Sequence, residues 1–363
     1  MSEPNLRIPG PTPLPPSVYA AMNRRMINHR GPEFAAMQAE IVDGLKVFLR
    51  TQQDVLLLTA SGTGGLEAAV VNTLSPGDKV LSVSIGYFGQ RLRDIAAAYG
   101  ASIVPLDYEW GQGADPAQVA DALRANPDVK AVFITHNETS TGVTNPLKEL
   151  AAPVKDAGKL LIVDAISSAG CVALETDAWG VDVLVTGSQK GWMAPPGLAF
   201  ITMSQAAWGA YANARMPRFY FDLKKAKKAA EEGATPWTPA VTTYFALQEG
   251  LRILLEEGVD NVLARHQRVA DKTRDGVQAL GFTLFADPRY ASNTVTAVRA
   301  PAGTDADALR KRVKKAHNVV LAGAQGKLAG QVFRIGHLGY VNDEDIDLVL
   351  AALKAEMAQP ATA

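Results

Sequence analysis

The sequence is short of the residues that would place it in an oxidising, metal-rich or membrane setting. It has one cysteine, Cys171, among 363 residues. No disulfide can form within the chain and no thiolate zinc site can be built, which fits a reducing compartment. The five histidines, at 29, 136, 266, 317 and 337, show no ligand spacing, so no metal is expected. An excess of charge is missing too: Lys+Arg is 36 against Asp+Glu 37, a net charge of −1. That excludes a global basic field for nucleic acid or an anionic membrane. The local runs KKAKK (224–228) and RKRVKK (310–315) read as solvated helix faces. No apolar run approaches the roughly 20 residues of a membrane span. The opening stretch MSEPNLRIPGPTPLPP is polar and proline-rich, unlike a signal peptide. These absences predict a cytoplasmic protein with neither nucleic acid nor membrane as partner.

What is present is ordinary for a globular chain, with 47% apolar and 20% charged residues. The length predicts one large domain with a smaller one. The proline-rich residues 1–16 read as an extended arm, lying over the surface or in a cleft without local structure. Helical spacing runs from Val18 to Arg50. Apolar runs of strand length then alternate with helical segments: DVLLLTA (54–60), KVLSVS (79–84), SIVPLD (102–107), AVFIT (131–135), LLIVDA (160–165), VDVLVTG (181–187) and LAFITM (198–203). Continuous apolar strands between helices predict an α/β fold with a mainly parallel sheet covered on both faces. After Tyr244 a long helical region, broken near Gly258, leads into short strands (TLFA, NTVTAVRA, QVFRIGH) and helices at 305–316 and 343–357. The predicted organisation is thus arm 1–16, large domain 17–254 and smaller C-terminal α+β domain 255–363.

Ligands of open parallel sheets bind beyond the carboxyl ends of the strands. Three strand ends carry chemistry here. The first is TASGTGGLEAA (59–69), where glycines, hydroxyls and a helix N-terminus could cradle a phosphate. It is neither a full GxGxxG nor a Walker loop, and a plain tight turn would look similar. The second is LLIVDAISSAG (160–170), where Asp164 ends an apolar strand. A carboxylate there needs a partner, whether a ligand, a helix cap or an ion pair. The third is VLVTGSQKGWMAPPG (183–197), where Lys190 follows another apolar strand among small, apolar and proline residues. Desolvation lowers a lysine's pKa and makes its amine a nucleophile.

A reactive lysine, a carboxylate and a phosphate cradle together suggest pyridoxal 5′-phosphate. That cofactor needs a lysine for its Schiff base, an acid at the pyridinium nitrogen and an anchor for its phosphate. Phe88, in GYFGQR (86–91), is the candidate for stacking on its ring, although core packing would use the same residue.

The chain resembles the class V, fold-type I pyridoxal-phosphate aminotransferases, most of all the alanine–glyoxylate, serine–glyoxylate and serine–pyruvate group. The matching segments are PGPTPLP (9–15), SGTGGLEAA (61–69), GYFGQR (86–91), THNETSTGV (135–143), VDAISSAG (163–170), GSQKGWMAPPG (187–197) and FRIGHLG (333–339). The resemblance implies that Lys190 binds the cofactor and shuttles the substrate proton, and that Asp164 holds the pyridine nitrogen. Phe88 would stack on the ring, where many relatives carry tryptophan. Thr139 would sit near the ring hydroxyl. Ser61, Gly62, Thr63 and Gln189 would hold the phosphate or its approach. Arg334 would clamp the substrate α-carboxylate, a task suited to a planar bidentate donor. Gly10 would line the substrate pocket. The resemblance further implies a homodimer with the site at its interface. Thr238, in TPWT (235–238), would come from the partner; Thr235 stands where some relatives have tyrosine. His29 and Arg30 would approach from the partner as well.

The expected reaction moves an amino group from a small L-amino acid (serine, alanine or aspartate) to glyoxylate or pyruvate. Aspartate would need a second cation, for which Arg30, Arg215 and Arg218 are the candidates. Two other readings compete. A cysteine desulfurase would share the fold but needs a mobile catalytic cysteine, and Cys171 lies just after the Asp164 strand. A non-enzymatic subunit would keep the fold without needing Lys190, Asp164 and Arg334 intact.

Overall fold

The computed structural model describes residues 3–358. Among these the strands are β1 (Asn5–Arg7), β2 (Asp54–Thr59), β3 (Lys79–Ser84), β4 (Ser102–Asp107), β5 (Ala131–Thr135), β6 (Asn137–Glu138) and β7 (Val143–Thr144). They continue with β8 (Leu160–Asp164), β9 (Val183–Gly187), β10 (Leu198–Met203), β11 (Thr283–Leu284), β12 (Val295–Arg299), β13 (Val319–Gly323) and β14 (Val332–Gly336). One sheet has the order β2-β10-β9-β8-β5-β3-β4. Its neighbours are parallel except at β10, which runs antiparallel to β2 and β9. The sheet is therefore mainly parallel, as its continuous apolar strands predict.

Period-2 alternation assigns each residue of a strand to a face. In β5, Val132 and Ile134 join one apolar cluster with Leu81, Val83, Leu161 and Val163. Ala131 and Phe133 join the other with Val80 and Ile162. The first face is covered by the helices Pro32–Leu49 and Val241–Glu257, through Phe34, Ile41, Phe245 and Leu247. The second is covered by the helices Gly62–Thr73 and Gln205–Asn213, through Leu66, Val70 and Ala207. Each large aliphatic side chain so buried contributes about 1.5–3 kcal/mol of transfer free energy. Both faces of the sheet are dry, so the chemistry is left to the strand ends.

The second sheet has the order β1-β13-β14-β12-β11. It packs on the helices Ala306–His317 and Asp343–Met357 through Leu309, Val313, Val349 and Leu353. Here the structure corrects the reading of the N-terminal arm as lacking local structure. Asn5–Arg7 pairs in parallel with β13, Asn5 opposite Val319. The arm then turns towards the strand ends of the large sheet, where the amide of Thr12 donates to the Gln189 carbonyl (3.1 Å). The helical stretch predicted from Val18 to Arg50 is also interrupted. Helices span Pro16–Met22 and Pro32–Leu49, and Gly31 between them is extended at φ −102°, ψ 169°. Proline disfavours α conformation in the residue before it, and its own fixed φ suits the first position of a new helix. The break near Gly258 is present: φ +86° separates the helices Val241–Glu257 and Val259–Ala279.

Candidate active site

The carboxyl ends of β5, β8 and β9 converge on one cavity, facing the N-terminus of the helix Gly62–Thr73. Ser61, Gly62, Thr63, Phe88, Thr139, Asp164, Gln189 and Lys190 all line it. They come from five separate stretches of sequence.

Lys190 follows β9 in a turn fixed from several sides. Trp192 is fully buried, donates from Nε1 to Thr186 Oγ1 (3.0 Å), and meets Phe48 and Phe200 edge-on at 5.9 Å each. Ser188 Oγ donates to the Pro195 carbonyl (2.6 Å). Gly191 has no room for a side chain: a Cβ there would stand 2.5 Å from Cys171 Sγ and 2.8 Å from the Ala169 carbonyl. The tryptophan and prolines after Lys190 thus anchor the segment that presents it. Its amine donates to the Pro9 carbonyl, and Gly10 (φ +128°) packs directly against its side chain. Burial, aided by the Arg334 charge, lowers the amine to about 8, against the pull of Asp164. The Lys190 amine therefore gives up its proton more readily than a solvated lysine does.

Asp164 ends β8 and is only 4% exposed. Its Oδ1 accepts from the amide of Ile166 (3.0 Å). Burial raises the carboxyl to about 7, with the Glu138 charge adding to the rise and Lys190 and Arg91 opposing it. The site therefore sets a softened amine and a softened acid at one cavity, the pattern of environment-tuned groups at functional sites.

Ser61 caps the helix Gly62–Thr73, accepting from the amide of Gly64 (3.4 Å). A Cβ on Gly62 would lie 2.5 Å from Ile166 Cδ1, so a side chain there would displace Ile166 at the edge of the cavity. Gln189 Oε1 is buried without a hydrogen-bond partner. Arg334, on β14, is 7% exposed. Its Nε and Nη2 donate to the Gly323 carbonyl (2.9 and 2.8 Å), and Nη1 donates to the Thr139 carbonyl (3.0 Å). Burial lowers it to about 10. It pairs with no carboxylate among the described residues, and a buried guanidinium held only by carbonyls is suited to an incoming anion.

Other residues shape the site without having been singled out in the sequence. Glu138 is fully buried at the end of β6. Its Oε2 accepts from the amides of Phe88 (2.9 Å) and Gly89 (3.0 Å), and its Oε1 from the amide (3.1 Å) and hydroxyl (2.6 Å) of Ser140. It thereby caps the helix Tyr87–Ala98 and fixes Phe88. Burial raises its carboxyl. Asn137 donates to Ser167 Oγ (2.8 Å) and Thr294 Oγ1 (2.9 Å), tying the cavity to the segment before β12. Arg91 also lines the cavity. The ETS within THNETSTGV was the available signal for Glu138.

Several expected residues lie elsewhere in the chain. Thr238 and Arg30 are exposed. Arg215 borders a different surface cavity beside Ser75 and Asp78. Arg218 donates to the Val71 and Ala214 carbonyls (3.0 and 3.1 Å) and lies over the Tyr211 ring, so within this chain it has a structural task. Cys171 is buried and its thiol is pushed up to about 12 by that burial, a poor setting for a mobile nucleophile.

Residues 11–349 match the class V aminotransferase family. A serine–glyoxylate aminotransferase of Methylorubrum extorquens is 40% identical, over 98% of this chain and 90% of that protein. A protein of Synechococcus named soluble hydrogenase, small subunit, is 45% identical, over 98% of this chain and 93% of that one. The crystal structure of an alanine–glyoxylate aminotransferase from Nostoc superposes with a TM-score of 0.95 at 33% identity, covering 98% of this chain and 96% of that one. The chain belongs to the class V aminotransferases. It is a transaminase of the fold-type I architecture, and its cofactor is pyridoxal phosphate. The cavity fits that group: an acid for a ring nitrogen, a softened lysine, an aromatic face, a capped helix N-terminus and an unpartnered amide oxygen surround one space.

Proposed function

We propose that this aminotransferase takes its amino group from a small L-amino acid, serine, alanine or aspartate, and delivers it to glyoxylate or pyruvate. The observation that carries this reading is the meeting of Lys190 and Asp164 at one cavity, with the carboxylate-free Arg334 held beside it. Named relatives that use glyoxylate support the acceptor.

When bound, the cofactor supplies the electron sink that makes the substrate Cα–H bond labile. The chain's residues do the rest. Asp164 would accept a hydrogen bond from the ring nitrogen and would keep a proton there. Phe88, fixed through Glu138, would stack on the ring. Ser61, Gly62, Thr63 and Gln189 hold the phosphate. Thr139 stands by the ring hydroxyl while its carbonyl positions Arg334. Arg334 binds the α-carboxylate and orients the amino acid. Lys190, its amine softened by burial, would be the base that takes the substrate Cα proton and holds it for return. Gly10, packed against the lysine side chain, lines the substrate pocket.

The reading extends to the assembly. Residues 17–254 form the cofactor-binding domain and 255–363 the smaller domain, bridged by the arm 1–16; residues 1, 2 and 359–363 of these bounds lie outside the described residues. Two chains form a homodimer whose interface completes the site, with Thr238, and His29 with Arg30, contributed across it. Exposed aromatic surface supports this: Phe219 is 70% exposed and stacks on Trp237 at 5.1 Å, one residue from Thr238. A cytoplasmic location is supported by the single cysteine, which is buried and reduced.

The test is a kcat/KM matrix of L-serine, L-alanine and L-aspartate against glyoxylate and pyruvate, with Lys190→Ala as control. One preferred small donor and an inactive control are expected. Turnover that survives in Lys190→Ala, or that favours large hydrophobic donors, would overturn the reading.

A further inference from the structure

The cavity holds a cation to which the roles above give no task. Arg91 lies one helical turn beyond Phe88, on the helix Tyr87–Ala98. Its guanidinium carbon sits 4.8 Å from the centre of the Phe88 ring and 5.2 Å from that of Tyr87. Its Nη1 donates to Thr63 Oγ1 at 3.5 Å, a long bond. The next arginine on the helix, Arg93, pairs with Asp107 at 3.0 Å. Arg91 makes no such ion pair among the described residues.

Its position is electrostatically unusual. Thr63 is the second residue of a 12-residue helix capped by Ser61. The N-terminus of such a helix carries about half a positive charge, and its first amides have no partner within the helix. A guanidinium and a helix N-terminus therefore approach each other, and no carboxylate forms an ion pair with Arg91 among the described residues; Asp164, on the same cavity, feels its charge without pairing with it. That is unfavourable until an anion enters, and Ser61, Gly62, Thr63 and Arg91 all border the same cavity. Gln189, which also borders it, keeps a buried oxygen without a partner. The two aromatic rings hold the guanidinium in place, a geometry a lysine would not reproduce.

We propose that Arg91 is a direct holder of the cofactor's phosphate, adding a charged donor to the neutral cradle of the helix N-terminus. This rests on the reading that pyridoxal phosphate occupies the cavity and adds a residue to those assigned above. It also accounts for the spacing in GYFGQR: Phe88 faces the ring and Arg91, three residues on, reaches the phosphate.

The test compares pyridoxal 5′-phosphate with pyridoxal, which lacks the phosphate. Equilibrium binding of each is measured by visible absorbance on full-length apo-protein, for the wild type, Arg91→Gln and Arg91→Lys. Loss of one charge-assisted bond predicts that Arg91→Gln weakens pyridoxal 5′-phosphate by about ten-fold or more while pyridoxal affinity stays put. Arg91→Lys should fall between. Retained pyridoxal binding shows that the variant folds. Equal weakening of both compounds, or of neither, would overturn the proposal. So would unchanged cofactor affinity with a raised KM for aspartate alone, which would assign Arg91 to a substrate carboxylate. A wild-type chain that binds pyridoxal 5′-phosphate no better than pyridoxal would overturn the phosphate cradle itself, a failure distinct from that of Arg91.

Discussion

Replacing Gly10 with alanine should separate a steric effect on Lys190 from a general loss of stability. Gly10 has φ +128°, and a Cβ built on it would lie 2.6 Å from Lys190 Nζ, 2.8 Å from Cδ and 2.9 Å from Cε. Ordinary contacts between non-bonded carbons lie near 3.5–4.0 Å. The lysine tail must therefore move by about 1 Å, or the arm must lift off. Misplacing a reacting group by about 1 Å lowers a rate on the order of 100-fold. The backbone conformation separately costs about 1–3 kcal/mol with any L side chain. Gly10→Ala should thus lose about two orders of magnitude in kcat and a few degrees in Tm. Gly158→Ala is the control: its φ is +65°, and a Cβ there meets nothing within 4 Å. It should lower Tm and leave kcat near wild type. The assays are steady-state turnover and thermal denaturation of both variants. A Gly10→Ala enzyme with wild-type kcat would refute the argument that the arm and the lysine share one tightly filled space.

Three further perturbations follow from the same geometry. Asp164 has a carboxyl raised from 3.8 to about 7, so the folded state holds its proton in a window where the unfolded state has released it. Its charge therefore destabilises the apo-protein increasingly as pH rises from about 4 to about 7. Asp164→Asn should stabilise the apo-protein on denaturant unfolding above pH 7, with the advantage vanishing towards pH 4, while abolishing turnover; an advantage independent of pH would contradict the assignment. Arg334→Lys keeps a charge but loses the planar fork and leaves the Gly323 or Thr139 carbonyl short of a donor. It should lower kcat/KM about 10- to 100-fold, mainly through KM, and an unchanged KM would remove Arg334 from carboxylate binding. Glu138→Gln sets an amide NH2 against the amides of Phe88 and Gly89 or of Ser140. It should alter the near-ultraviolet and visible circular dichroism of the bound cofactor and lower kcat, because Phe88 is no longer held; an unaltered spectrum would show that Glu138 does not position the ring.

The legible part of this protein is the part written in contiguous runs. The apolar runs give the seven strands of the large sheet, though not β13 of the second, and the residues just after them include Ser61, Asp164 and Lys190, which line one cavity at the strand ends. What was not legible depends on pairings across long separations. The direction of β10 is set by its register against Thr59 and Gly187, which an apolar run does not encode. The arm's strand is three residues long, too short for any periodicity, and its partner begins at Val319. Glu138 meets the amides of Phe88 and Gly89 about 50 positions away, so its sequence neighbourhood gives only a buried acid. Arg218 illustrates the reverse error: a free cation in the sequence becomes a carbonyl-binding strut beside Tyr211 once the chain folds.

The most direct test of the central claim is the visible absorbance of the purified protein, followed as L-serine, L-alanine and L-aspartate are added in turn and glyoxylate afterwards. The account predicts a long-wavelength cofactor band that fades with a small donor, returns with the oxo acid, and is missing in Lys190→Ala. A wild-type protein with no such band after saturation with pyridoxal 5′-phosphate, or a band no amino acid alters, would contradict it.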